Sequence, residues 1–177
     1  MRPCDTFAAA PRLHSAEGAE LAGPTPEDIY NRHRRDIHRY LVRMTGRPDA
    51  ADDLCQEVFL RVVRALKNGG PVGHERGWVF AIARNLLRDR HRRPLTPTAV
   101  AESAVEPSMG ANQVLAFGLT EALRGLAADD RDVFLLKEIG GLSYAEIASE
   151  CGCTVEAVRS RLFRTRTQLR ETLAPLR

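Results

Sequence analysis

No stretch of this chain approaches the roughly 18 apolar residues that a membrane span requires, and residues 1–25 lack the apolar centre of a signal peptide. A soluble cytoplasmic protein is therefore expected. Cysteine is sparse. Of Cys4, Cys55, Cys151 and Cys153, only the last two lie close together. Two thiolates with no third and fourth ligand nearby make a poor zinc site, and small residues at a helix turn account for them better. A thiol switch at that pair is the one redox role left open. A two-residue β-period, an internal repeat and a nucleophile placed beside a general base are all missing. The expectation is a protein with no catalytic residues, no metal, no cofactor and no small-molecule substrate.

What the chain does have is helical periodicity and unevenly placed charge. Its 177 residues suffice for one domain or two small ones. The formal charge is only +3, yet residues 26–93 hold 15 Lys/Arg against 9 Asp/Glu, whereas 113–177 balance at 9 and 9. Local patches thus matter more than the total.

The most informative stretch runs from Gly141 to Arg166. Ser143 with Glu146 three residues on forms a capping box. Ile147 and Ala148 give a short helix an inward face, and Gly152 suits the left-handed backbone of a sharp turn. Thr154 caps a second helix on which Val155, Val158, Leu162, Thr165 and Leu169 share one side. At about 100° per residue, Glu156, Ser160, Phe163 and Arg164 face the other way, flanked by Arg159 and Arg161. This is a helix-turn-helix with outward guanidinium groups, suited to a DNA major groove. A merely solvated Arg-rich helix is the plainer alternative. Charge argues against it: residues 154–170 hold five Arg and one Glu, while 113–153 hold three basic and seven acidic residues.

Taken in order, residues 1–25 are rich in Ala, Pro and Gly without a period and read as a disordered tail. Thr25 caps a helix opened by Pro26, whose apolar side is Ile29, Ile37, Leu41 and Met44 and whose other faces carry Arg32, Arg34, Arg35, Arg39 and Arg43. Asp49 is expected to cap the next helix, 50–67, with Leu54, Val58, Val62, Ala65 and Leu66 inward. Asp53 and Glu57 lie a turn apart on another face, beside Gln56 and Leu60. Without a His partner or third acid, this pair reads as a protein-binding patch or a solvated face. A Gly-rich loop spans 68–76. Helix 77–92 turns Trp78, Ile82 and Leu86 inward, with Val79, Ala83 and Leu87 beside them, and its end is more basic than capping requires. A second nucleic-acid contact is expected there.

Residues 94–112 contain three prolines, two acids and no basic residue and read as a linker. Helices 113–126 and 129–139 should pack on the helix-turn-helix through Leu115, Leu119, Leu123, Leu126, Val133, Phe134 and Leu136. The fold class expected is all-α: two small helical domains, 26–93 and 113–177, joined by an extended linker.

Three motifs in this order resemble the extracytoplasmic-function (ECF) sigma factors, the small bacterial RNA polymerase sigma subunits. They are Asp49-Ala-Ala-Asp-Asp-Leu-Cys-Gln-Glu-Val-Phe-Leu-Arg-Val, similar to region 2.2, and Arg76-Gly-Trp-Val-Phe-Ala-Ile-Ala-Arg-Asn-Leu-Leu-Arg-Asp, similar to regions 2.3 and 2.4. The third is Leu142-Ser-Tyr-Ala-Glu-Ile-Ala with Val158-Arg-Ser-Arg-Leu-Phe-Arg, similar to region 4.2. The resemblance implies that Asp53, Gln56, Glu57 and Leu60 bind the β′ clamp helices of core RNA polymerase. Cys55 departs from the aliphatic residue frequent at its position. The resemblance also implies that loop 68–76 holds a flipped −10 base, although the loop lacks an aromatic residue. Arg84, Asn85 and Arg88 would lie along −10 DNA. Glu156, Arg159, Ser160, Arg161 and Arg164 would meet the −35 element. The linker would thread near the RNA exit path. The partners implied are core polymerase (β′ clamp helices and β flap), promoter DNA and an anti-sigma factor. The competing reading is a stand-alone helix-turn-helix regulator that binds operators without polymerase.

Overall fold

The computed structural model describes residues 23–69, 74–92 and 111–176. The expected N-terminal tail, most of the linker and the centre of loop 68–76 lie outside the described residues. Among those described, every regular element is helical: α1 (Pro26–Thr45), α2 (Pro48–Lys67), α3 (Glu75–Arg92), α4 (Ala111–Arg124), α5 (Ala128–Glu138), α6 (Tyr144–Cys151), α7 (Val155–Leu173) and a closing 3-10 turn, Ala174–Leu176.

Local chemistry starts and stops these helices. Thr25 accepts a hydrogen bond from the Asp28 amide, and the Asp28 carboxylate accepts from the Thr25 amide, closing a capping box ahead of Pro26. Gly46, at φ 68°, takes the left-handed conformation that ends α1. The expected cap at Asp49 is corrected. Pro48 opens α2, Arg47 occupies the cap position without a side-chain bond, and Asp49 lies in the first turn. A proline in the first turn needs no amide partner, so the helix begins one residue before the acid. Helix α3 likewise starts at Glu75 rather than Gly77.

Helices α1, α2 and α3 pack as a three-helix unit around Ile29, Ile37, Leu41, Leu54, Val58, Val62 and Phe80. Tyr40 meets Phe80 edge-on, with ring centroids 5.5 Å apart. Trp78 and Ile82 are half-buried at the margin, while Val79, Phe80 and Ala83 are fully buried. The inward face of α3 is therefore centred one residue away from the expected Trp78 stripe. In the second unit, α7 lies across α4, α5 and α6. Leu123, Leu126, Val133, Leu135 and Leu136 are buried there, and Leu119 and Phe134 are half-buried. The two units touch. Helix α1 packs on α5, and the buried apolar residues of both form one contiguous cluster.

Candidate nucleic-acid interface

The helix-turn-helix is built from its caps outward. Ser143 accepts from the Glu146 amide at 3.2 Å, and the Glu146 carboxylate accepts from the Ser143 amide at 2.7 Å. Hydrogen bonding to Ser143, through its side chain first and its backbone second, holds the Glu146 carboxyl below the usual carboxylate range. Gly152 ends α6 at φ 62°. Thr154 then accepts from the Ala157 amide at 3.1 Å and starts α7.

Helix α7 buries Val158, Leu162, Thr165 and Leu169. Its opposite face carries Glu156, Arg159, Ser160, Phe163 and Arg164, all exposed. Neither Arg159 nor Arg164 has an ion-pair partner among the described residues. Phe163 is 73% exposed in the middle of this polar face. A phenyl ring so placed can meet a thymine methyl in a major groove. The helical period had put it on that face without giving it a role. Arg161 is different: it is half-buried, 3.8 Å from both Asp129 and Asp130 of α5. Its guanidinium leans on its own domain rather than projecting with its neighbours. Arg166 pairs with Glu138 at 2.8 Å, and that hydrogen bond raises its pKa.

On α2, Asp53, Gln56, Glu57 and Leu60 share one face at helical spacing. The first two and Leu60 are exposed, Leu60 by 51%. Glu57 is half-buried and accepts from Arg61 at 3.0 Å. The result is a short strip of carboxylate, amide and exposed leucine.

Helix α3 divides the remaining residues. Asn85 and Arg88 are exposed. Arg84 is buried, at 6% exposure. Its Nε donates to Asp132 of α5 at 2.5 Å, and its Nη1 donates to the Glu150 carbonyl of α6. Burial works against the charge of Arg84, but the Asp132 hydrogen bond and carboxylate outweigh it and raise its pKa. The same Asp132 accepts from the Tyr40 hydroxyl at 2.6 Å. Burial and that carboxylate push the Tyr40 pKa well above its ordinary value. Expected along DNA, Arg84 thus lies within the contact between the two helical units. Sequence reasoning missed Asp132, Tyr40 and Arg76. Arg76 donates to the Ile139 and Gly140 carbonyls and to Asp36. Nothing periodic marks such long-range partners.

Cys151 and Cys153 are both free and half-buried. Burial, chiefly, pushes the Cys151 thiol up to about 11, leaving little thiolate at neutral pH. Among the described residues no group of three or more His, Cys, Asp or Glu converges as a metal site. No helix among them is long and apolar enough to cross a membrane.

Comparison with known proteins gives this geometry its context. The Sigma-70 region 2 family matches residues 29–94, and the Sigma-70, region 4 family matches 117–169. The chain is 34% identical over 172 residues to the ECF RNA polymerase sigma factor SigE of Mycolicibacterium smegmatis, covering 92% of this chain and 66% of that one. It is 32% identical over 171 residues to the ECF RNA polymerase sigma factor SigC of Mycobacterium tuberculosis, covering 93% and 90%. Among solved structures, CnrH in complex with the cytosolic domain of CnrY has a TM-score of 0.65 at 25% identity, covering 85% of this chain and 88% of that one. The sigma factor RpoE from Bartonella quintana, in complex with the anti-sigma factor NepR, also has a TM-score of 0.65. Its identity is 21% and its coverage 84% and 96%, a likeness of fold. The stand-alone regulator is not favoured, because the first half of the chain matches region 2 as the second half matches region 4. With both regions present in order and relatives matched along most of its length, the chain belongs to the ECF RNA polymerase sigma factor family.

Proposed function

We propose that this protein directs core RNA polymerase to promoters with −35 and −10 elements and starts transcription there, contributing binding rather than catalytic chemistry. The observation that carries the reading is the outer face of α7, where Arg159, Ser160, Phe163 and Arg164 stand exposed with both arginines unpaired among the described residues. Such a face offers guanidinium forks to guanine edges or phosphates and an apolar ring to thymine. Glu156 begins it, accepting from cytosine, and Arg161, once turned away from Asp129 and Asp130, would reach phosphate from its flank.

The strip of Asp53, Gln56, Glu57 and Leu60 is assigned to the β′ clamp helices, and the 113–177 unit to the β flap. Residues Asn85 and Arg88, with Arg84 once released, are assigned to −10 DNA, and residues 94–112 to the tether between domains 26–93 and 113–177. The place of action is then the cytoplasm, where the polymerase works. An anti-sigma factor is the expected regulator, in keeping with the neighbours solved bound to CnrY and NepR.

Two experiments test this. Purified chain is mixed with core polymerase and recovered by pull-down, and the complex is used in run-off transcription on promoters selected from a random library. Recovery of core together with a discrete transcript is expected. Failure to bind core, or transcription without promoter preference, refutes the proposal.

A further inference from the structure

We propose that the outer face of α1 is a binding site for a free nucleoside polyphosphate, with Arg35, His38 and Arg39 holding the phosphates and Tyr30 with Arg34 receiving the base. The contacts assigned above to polymerase and DNA leave this face unused, and the inference stands apart from them.

Helical spacing brings the cations together. Residues 34, 35, 38 and 39 are related by steps of one and four, so their side chains project from two adjacent turns spanning about 7.5 Å of the axis. They line a concave surface of about 510 Å³, a size that suits a small ligand. Arg34, Arg35 and Arg39 are exposed. Arg35 has no ion-pair partner among the described residues, and Arg39 only approaches Asp36, at 3.8 Å. Asp36 is held more closely by Arg76, at 2.6 Å. His38 lies 2.9 Å from Asp52 of α2, which offsets part of the charge. Like charges four residues apart destabilise a helix, and Arg35 and Arg39 stand in that relation. Their field reaches the next turn: burial first, and then the charge of Arg39, lower the Arg43 pKa. An anion bound between them relieves this repulsion.

Two observations select the ligand. The first is that free positive charge is confined to these two turns. Before them, Arg32 is committed to Glu75 at 3.1 Å, and after them Arg43 donates to Thr120 at 3.3 Å. The cations therefore form a compact cup rather than a track, which fits a short run of phosphates better than a polynucleotide backbone. The second observation is aromatic. Tyr30, one turn before Arg34, is 39% exposed. The Arg34 guanidinium lies 5.4 Å from its ring centroid, and Phe59 fixes the ring edge-on at 4.8 Å. A ring and a guanidinium plane held together in this way offer a stacking surface to a base. Inorganic phosphate would engage the arginines and leave Tyr30 idle, whereas a bare nucleoside would meet only the ring. A nucleoside polyphosphate uses both.

The test titrates the full chain with ATP, inorganic tripolyphosphate and adenosine by isothermal calorimetry at physiological salt, where exposed charges are screened. Circular dichroism follows helix content. One ATP per chain is expected to bind, tripolyphosphate more weakly and adenosine hardly at all. Arg35→Gln combined with Arg39→Gln removes two exposed cations, so it should keep the helix content and weaken both phosphate ligands about tenfold or more. Tyr30→Leu should weaken ATP at least about fivefold and leave tripolyphosphate unchanged, since only the base stacks. Arg64→Gln combined with Arg170→Gln makes the same charge change elsewhere and should bind ATP as the parent does. The proposal is overturned if ATP does not bind, if the Arg64 and Arg170 pair matters as much as Arg35 and Arg39, or if tripolyphosphate binds as tightly as ATP. It is equally overturned if Tyr30→Leu weakens both ligands alike. A single-stranded oligothymidylate held through Arg35 and Arg39 that ATP fails to displace would also overturn it, and would make the face a strand-binding surface instead.

Discussion

Arginines of identical chemistry are put to different uses here by their surroundings. Arg159 and Arg164 project from α7 into solvent, Arg161 leans towards two aspartates of α5, and Arg84 is buried against a third. Removing an exposed side chain of this kind leaves stability within about 0.5 kcal/mol. Arg159→Ala and Arg164→Ala should therefore fold as the parent does and lose only DNA affinity. A base-edge contact costs about 1–3 kcal/mol and relaxes preference at one position, whereas a phosphate contact weakens all sequences alike and lowers the salt slope by about one. Titration of matched and mismatched −35 duplexes at several salt concentrations separates the two. Equal loss on every duplex rules out base reading at that residue.

At the level of the element, the helix-turn-helix depends on its caps and its glycines. Ser143→Ala removes the acceptor for the Glu146 amide, and the expected cost is about 1 kcal/mol, read as a lower denaturant midpoint with unchanged slope. Glu146 makes part of this support depend on pH. Its carboxyl is held below its ordinary value of 4.5, so its contribution is complete above that value and is lost as pH falls through the lower, folded one. The stability gap between the parent and Glu146→Gln should be full at neutral pH and close in acid. A gap that stays constant down to acid unfolding contradicts the role given to the carboxylate. Gly140 is the other constraint. A Cβ there would press on the Leu136 carbonyl of the preceding turn, so the backbone must shift. Gly140→Ala is expected to cost about 1–3 kcal/mol, a typical penalty for forced overpacking. It should also disturb the contact between the two helical units, since the Gly140 carbonyl accepts from Arg76. Thermal unfolding checks the first effect and scattering the second.

For the molecule as a whole, the two helical units have two sets of obligations. In the structure they meet through Arg84, Asp132 and Arg76. Under the proposed function one unit would face polymerase through α2 and both would face DNA. Asp53, Gln56 and Leu60 of the α2 strip are exposed and Glu57 is half-buried against Arg61, so under the proposed function core polymerase can reach the strip directly. Asp53→Lys combined with Glu57→Lys should abolish recovery of core polymerase while leaving duplex affinity of the free chain no weaker than before, because the change adds positive charge. Loss of both activities together would point to misfolding rather than to a docking strip, and helix content distinguishes the two.

The amino-acid sequence by itself determined what short-range chemistry can determine. Thr25, Ser143 and Thr154 cap helices because each hydroxyl meets an amide three residues away. The faces of α2 and α7 follow from a period of 3.6, which also places Phe163 outward and Leu162 inward. The motifs that tie the chain to its family are equally local. Only the tertiary structure decided that Arg84 is buried and that Arg161 leans inward. It alone also decided that Asp132 gathers Tyr40 and Arg84 from 92 and 48 residues away. These pairings leave no periodic trace, because an ion pair depends on where two helices happen to cross rather than on the spacing of residues along either one. The shift of the buried face of α3 from the Trp78 side to the Val79 side has the same origin. Two apolar arcs were available on that helix, and the packing of α1 and α2 chose between them.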